Sequence, residues 1–284
     1  MQQVNDTTGK NERGTMQKVT EHVYAGTNFR GCNSSFVVTA EGVVVIDTPM
    51  VPDEAKKWRK EIEKHGQIKY VINNEPHNDH VAGDCWMGGT LVAHEGIREA
   101  IKRNRKEELE GQMKWMSPDA LPLDKDFCYR LPEITFTGSL TFYLGKHSFQ
   151  IMEVPGHTPY ETAVYVPEER VVFTSDNVVV GMPILFQAVP EAWLKSLKKL
   201  QKLDIDKVVP GHGPVCDKAQ LKVMLDSIEY IVGAVKAAIA KGWSLKEIQD
   251  RVTFAERFPP MGPGDAMAPM RHGSIAHLYE VLKK

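Results

Sequence analysis

Apolar and polar positions divide the chain into two strand-rich halves, each followed by helices. Residues 18–50 read as short strands, with "EHVYAGT" leading to "NSSFVVTA" and a Glu41-Gly42 turn into "VVVIDTP". The segment "VPDEAKKWRKEIEKHG" carries apolar residues at helical spacing, so a helix is predicted there, capped by Asp53 and stopped by Gly66. "IKYVINN" is a buried strand, "GTLVAHEG" another, and "IREAIKRNRKEELEG" a charged helix. Residues 111–132 contain Pro118, Pro122 and Pro132 and are expected to form a covering loop. A second run of strands starts at "ITFTGSLTFYLG" and continues through "HSFQIMEVPG", "TAVYVPEE" and "RVVFTSD". Helices return at "EAWLKSLKKLQKL" and over 217–240. No internal repeat is present. This order predicts an α/β fold of two packed sheets with helices outside, one domain of four layers.

Bulk composition leaves that picture intact. The chain has 284 residues, 42% hydrophobic and 25% charged, enough to bury a large core. A net charge of −2 with dispersed Lys and Arg argues against nucleic-acid or membrane-surface partners and leaves a small molecule as the expected one. No apolar run reaches the roughly 18 residues of a membrane span. Residues 1–15 are polar, lack an apolar signal core and are expected to be a disordered leader, with 16–284 as the single domain and its C-terminal helices. A cytoplasmic location is expected, or a periplasmic one if an N-terminal signal has been removed. The four cysteines, Cys32, Cys85, Cys128 and Cys216, form no CxxC pair and suit a reducing compartment. The C-terminal helices are compatible with a homodimer.

The chemistry starts at "NNEPHNDHVAG", where Glu75, His77, Asp79 and His80 follow a strand. Imidazole nitrogens and carboxylate oxygens suit zinc and other first-row metals. Four neighbouring residues cannot complete a site, so distant ligands are required. Three further segments place a ligand residue just past an apolar strand: "IMEVPGHTPYET" with His157, "RVVFTSDNVVV" with Asp176 and Asn177, and "DKVVPGHGPV" with His212. Two of them share Pro-Gly-His, a sharp turn that presents its histidine beyond the strand.

The four segments, in this order, resemble the metallo-β-lactamase superfamily from about Thr20 to Asp217. The resemblance implies a four-layer αββα sandwich with the site at the sheet edges. It also implies a first metal site of Glu75, His77 and His157, a second of Asp79, His80 and His212, and a bridging Asp176. Two positions depart from the pattern: Glu75 stands in place of a histidine, and Ser175 where glycine is frequent. The serine reads as a mild change. Glu75 either binds metal, giving a two-histidine, one-carboxylate set like that of iron(II) oxygenases, or points away. In the second case one Zn2+ on Asp79, His80 and His212, with Asp176 or Asn177 as fourth ligand, is favoured. More narrowly, the sequence is similar to a Glu-x-His-x-Asp-His subgroup that includes hydrolytic dehalogenases of chloroaromatics such as chlorothalonil.

The implied activity is zinc-dependent hydrolysis of a small hydrophobic substrate, with bound water acidified to a pKa of about 7. Asp79 would orient that water, and Asp176 would accept a proton, with Asn177 beside them as a third catalytic candidate. Alternatives are lactone, β-lactam or ester hydrolysis, and an Fe2+-dependent dioxygenase of persulfides. Asp47, ending its strand, would steer a metal-ligating histidine. His22, His65 and His147 read as surface residues, His94 as structural and His277 as a packing residue, whereas His272 is a candidate pocket group. Residues 178–190 and 257–273, with Trp115 and Met116, are candidates for an apolar pocket wall. Tyr160 is either an oxyanion donor or a packed tyrosine.

Overall fold

The computed structural model describes residues 15–259 and 267–283. The first sheet runs, in spatial order, β1 (Met16–Lys18), β2 (Val23–Gly26), β3 (Ser34–Thr39), β4 (Gly42–Ile46), β5 (Ile68–Asn73), β6 (Thr90–His94) and β7 (Ile134–Phe136). The second runs β12 (Lys207–His212), β11 (Val171–Val179), β10 (Thr162–Val166), β9 (His147–Glu153) and β8 (Ser139–Leu144). Helices α1 (Pro52–Glu63), α2 (Asn78–Val81), α3 (Glu95–Ile101) and α4 (Lys106–Met116) belong to the first half. The second half contributes α5 (Pro190–Leu200), α6 (Ala219–Ala240), α7 (Leu245–Arg251) and α8 (Ala268–Leu282).

Side-chain alternation builds the four layers. On β4, Val44 and Ile46 face Phe149, Ile151, Phe173 and Val209 across the gap between the sheets. Val43 and Val45 face outward onto Ala55, Trp58 and Ile62 of α1. The second sheet repeats the scheme: Ala163, Tyr165 and Val172 pack under Trp193, Leu197 and Leu200 of α5 and Leu221 and Ile228 of α6. Trp58 and Trp193 anchor the two outer interfaces. Each is essentially fully buried, and truncation to alanine would cost on the order of 3–5 kcal/mol.

Several boundaries differ from the sequence reading. Val51, not Asp53, is the N-cap of α1, because Pro52 occupies the first helical position, where a missing N–H costs nothing. The single charged helix expected over 97–111 is two helices. Asn104 between them donates to the Pro76 carbonyl and to Asn78, which ties the break to the metal-ligand motif. The covering segment begins as helix, since α4 continues to Met116 and a single turn follows at Pro118–Ala120, and is irregular over 121–132. The "ITFTGSLTFYLG" segment is shared: β7 closes the first sheet, and β8 opens the second after Gly138 at φ +72°. Cys85 and Cys128, 43 positions apart, meet with their sulfurs 3.4 Å from each other as free thiols. The leader expected over residues 1–15 falls, except for Thr15, outside the described residues, as do 260–266 of the expected pocket wall.

The topology decides where chemistry can occur. Strands β4, β5, β6 and β7 are mutually parallel, as are β11 and β12, so their C-terminal ends gather at one edge of the sandwich. In open parallel sheets that edge is where ligands bind.

Candidate metal centre

All seven ligand-type residues meet at this edge. Glu75 and His77 follow β5. Asp79 and His80 lie on α2, a single helical turn with His77 as its N-cap. Consecutive helical positions diverge in direction, so Asp79 Oδ2 turns to His212 Nε2 at 3.3 Å while His80 Nε2 turns to Glu75 Oε1 at 2.8 Å. Asp176 sits between them, its Oδ1 3.3 Å from both His80 Nε2 and His212 Nε2. On the other side, Glu75 Oε2 is 2.8 Å from His77 Nδ1 and 3.7 Å from His157 Nε2. Three overlapping groups could each hold a cation: Glu75, His77 and His157; Asp79, His80 and His212; and Glu75, His80 and Asp176. The reading in which Glu75 points away, held by an amide or arginine, is corrected here. Its side chain is fully buried, and its two oxygens face histidines of both halves. Glu75 and His80 form the floor, and His77 and His212, each about a third exposed, stand at the mouth.

The two glycines of the Pro-Gly-His tripeptides are required by close approach. A Cβ on Gly211 would lie 1.9 Å from Asp176 Oδ1, and one on Gly156 2.1 Å from Asn177 Oδ1. Asp176 itself is turned inward by a register shift in β11 at Ser175, which has φ +45°.

Two of the imidazoles, His157 and His80, are fixed from behind. His157 Nδ1 bonds the Ile184 carbonyl at 2.8 Å, which leaves Nε2 facing the centre. His80 Nδ1 lies 3.1 Å from Asp47 Oδ2 and 2.9 Å from Ser175 Oγ, and Ser175 Oγ donates to the same Asp47 oxygen at 2.8 Å. Asp47, at φ +52°, also accepts the Asn74 N–H at 2.9 Å. Asp47 therefore steers His80 as expected. Ser175 is more than a mild change, because its hydroxyl completes the same bracket.

Asn177 is corrected in the other direction. Its Oδ1 accepts the His157 N–H at 3.0 Å and its Nδ2 donates to the Val154 carbonyl, so the fully buried amide is spent on backbone. It positions the His157 turn and does not reach the cluster. Sequence reading also missed Asn33, whose N–H and Nδ2 hold the carbonyls of Gly211, Pro210 and Gly213. It missed Gln112, whose Nε2 donates to Asp79 Oδ1 at 3.3 Å. Asn33 lies within the "RGCNSS" stretch that carries the resemblance, and for Gln112 no local signal exists.

The other candidates fall outside the cluster. His94 caps α3 by accepting the Gly96 N–H at 3.0 Å, and the Tyr160 ring stacks on it. His277 bonds the Ala188 carbonyl at 2.7 Å. His272 belongs to α8, where its carbonyl accepts from Gln249. His65 packs on Tyr24 and Phe36. His147 is buried, contrary to its surface reading, and pairs with Glu169. Of the expected pocket wall, residues 180–189 are tied to α8 by the Leu185 N–H to Ser274 Oγ bond at 2.9 Å.

The electrostatics call for a cation. Burial would raise the carboxyls of Glu75, Asp79 and Asp176, but the surrounding imidazoles outweigh it. Glu75 is held at about 2, and both aspartates lie below their ordinary range. Burial likewise opposes charge on His77 and His212, yet the carboxylates raise them to about 9 and about 10. Metal binding at these ligands would displace those protons. Cys32, pushed up to about 12 by burial, stays a neutral thiol. Both Glu75 oxygens, Asp176 Oδ1 and His80 Nε2 are buried and lie 2.8–3.3 Å from other ligand atoms of the cluster, but among the described residues none of them makes a well-directed hydrogen bond. Unsatisfied buried polar atoms are costly unless a ligand completes them. The donor set of imidazoles and carboxylates fits a first-row divalent metal.

Comparison with known proteins supplies the context. The profile described as "Metallo-beta-lactamase superfamily" matches residues 27–212. The alpha subunit of a 2,4-dinitroanisole O-demethylase from Nocardioides sp. is 28% identical over 60% of this chain, which spans 49% of that relative. A type 2 metallo-beta-lactamase of Elizabethkingia meningoseptica is 27% identical over 74% of this chain and 79% of its own length. Among solved structures, an inverting sec-alkylsulfatase from Pseudomonas sp. superposes with a TM-score of 0.71 at 16% identity, covering 94% of this chain and 50% of the sulfatase. The chain thus spans about half the length of the demethylase subunit and of the sulfatase.

Proposed function

The chain belongs to the metallo-β-lactamase superfamily, and from that membership we propose that it is a zinc-dependent hydrolase of small, uncharged, hydrophobic substrates. The observation that supports this most is the cluster of buried imidazoles and carboxylates converging at one strand-end edge. Asp79, His80, His212 and Asp176 would hold the working zinc, and Glu75, His77 and His157 a second ion. Zinc bound there would supply water acidic enough to act as hydroxide near a pH of about 7 and would polarise the acceptor group.

The chain's own residues do the rest. Asp47 and Ser175 keep His80 Nε2 turned inward. Gln112 donates to Asp79 Oδ1, which leaves Oδ2 turned to His212 as the oxygen that would hold the ion. Trp115, 61% exposed, lies one turn beyond Gln112 on α4, and Phe186, 45% exposed, lies two residues beyond Ile184, which holds His157. These rings favour a flat apolar substrate. An electron-poor chloroarene, losing chloride to attack at ring carbon, is one such substrate, and an aryl ester or lactone is another. The nitroaromatic named for the demethylase relative is likewise an electron-poor ring.

The test is zinc content and turnover of chelator-stripped, zinc-reloaded protein on a panel of esters, lactones, β-lactams and chloroarenes. His80→Ala should abolish turnover and lose the working zinc. Protein that binds no zinc, or is active only with iron, overturns the proposal. A second reading is favoured by the Glu75, His77 and His157 triad alone, a two-histidine, one-carboxylate set suited to Fe2+ and to oxygenation of persulfides. Oxygen uptake with a persulfide would support it, and full turnover without oxygen would exclude it.

A further inference from the structure

A second cluster of metal-ligand types lies at the opposite end of the sandwich. His22 precedes β2, His147 begins β9, and Glu169 sits in the turn between β10 and β11. Glu169 Oε1 is 2.7 Å from His22 Nδ1 and 3.0 Å from His147 Nε2, and the three ligand atoms lie within 4.8 Å of one another. Glu169 Oε2 is occupied by the Thr20 hydroxyl and the His22 N–H, so Oε1 is the oxygen turned to the imidazoles. The side chains of His147 and Glu169 are each 7% exposed and that of His22 40%, so the cluster has a buried base and one open side.

We infer that His22, His147 and Glu169 form a second, structural site for a first-row divalent metal such as zinc, with solvent in the remaining position. Two imidazoles and a carboxylate are a sufficient zinc set when water completes the tetrahedron. The imidazole–carboxylate spacings match those of the cluster at the other end, where Glu75 lies 2.8 Å from both His77 and His80. The Thr20 hydroxyl does for Glu169 what supporting hydrogen bonds do for ligating carboxylates generally: it fixes which oxygen faces the metal. An ion here would fasten β2 of the first sheet to β9 and the β10–β11 turn of the second. The site is remote from the catalytic edge, so its test is independent of the proposed hydrolase activity.

The experiment uses the full chain, stripped of metal, dialysed to equilibrium against zinc and assayed for zinc per chain and for thermal unfolding. Wild type should bind one zinc more than His147→Ala and one more than His22→Ala, with activity on any substrate unchanged. Zinc should raise the unfolding temperature more in wild type than in either variant. His22, at the open side, keeps the test informative if His147→Ala does not fold. Equal zinc content in wild type and His22→Ala would leave a hydrogen-bonded histidine–carboxylate staple and overturn the inference.

Discussion

The two ends of the sandwich gather the same side-chain types in different ways. At the strand-end edge, seven ligand residues come from four segments, and among the described residues the floor atoms of Glu75, Asp176 and His80 make no well-directed hydrogen bond. At the opposite end, two imidazoles share one oxygen of Glu169, and Thr20 already holds the second oxygen. At the first end carboxylates and imidazoles lie 2.8–3.3 Å apart without well-directed hydrogen bonds, an arrangement that a cation in place of the imidazole protons would complete. At the second the carboxylate already accepts directed hydrogen bonds, with His147 Nδ1 the buried atom left without a partner among the described residues, and a metal there would stiffen an existing contact. Burial without partners marks a reactive site more strongly than residue type does.

Substitutions at the catalytic edge sharpen this contrast if they change metal content there and leave the His22 end untouched. Among changes that leave every ligand in place, the largest effect is expected for Gly211→Ala. Its Cβ would meet Asp176 Oδ1 at 1.9 Å and the Ser175 carbonyl carbon at 2.6 Å, so the Asp176 loop must move. Zinc retention and turnover should fall by more than the ~10–100-fold expected of supporting-residue changes, and near-normal values would show that the loop yields easily. Asp47→Asn comes next. It keeps the shape but weakens the bracket behind His80, with an expected loss of ~10–100-fold in metal affinity or turnover. Unchanged affinity by metal-buffer titration would mean Ser175 alone holds the ring. Ser175→Gly should split the readouts. Relief of the left-handed backbone raises stability by up to ~1 kcal/mol, while loss of the hydroxyl lowers metal affinity by less than Asp47→Asn does. A variant that gains both would assign the serine no role at His80.

The remaining effect is on stability alone and shows only as a dependence on pH. Burial raises the Asp84 carboxyl to about 7, although Asn73 and Thr48 donate to it. The folded protein therefore holds this proton more tightly than the unfolded chain does. The contribution to stability falls as pH rises from about 4 to about 7 and is level above that. Asp84→Asn should remove this slope in denaturant titrations across that range. A parallel pH profile in the variant would show that Asp84 ionises freely. The His22 end should respond to none of the four changes, and any loss of zinc there would break the separation of the two ends.

What was legible in the sequence follows from local rules. The strands of both sheets and α1 could be read from period-2 and helical spacing, because one buried face dictates the pattern. All four ligand segments were legible because each follows or ends an apolar strand and two carry Pro-Gly-His, although Asp176 lies within β11 and His212 closes β12, where the sequence placed both just past a strand. The break between α3 and α4 was not, since it depends on Asn104 reaching Pro76 and Asn78. The division of "ITFTGSLTFYLG" between two sheets was hidden too, because both strands satisfy the same periodicity.

The chain by itself determined which residue types stand beyond which strands, and therefore the superfamily and its seven ligand candidates. Tertiary structure alone decided their roles. It turned Glu75 inward, spent Asn177 on backbone, enlisted Ser175 behind His80 and brought His22 to His147 and Glu169. Except for Glu75, whose nearest partners His77 and His80 follow it directly, each outcome depends on a partner at least 20 positions away in the chain, as with Asn177 and the backbone of His157, 20 apart, or Ser175 and His80, 95 apart. Local propensity does not reach that far, and only packing sets which atom faces which.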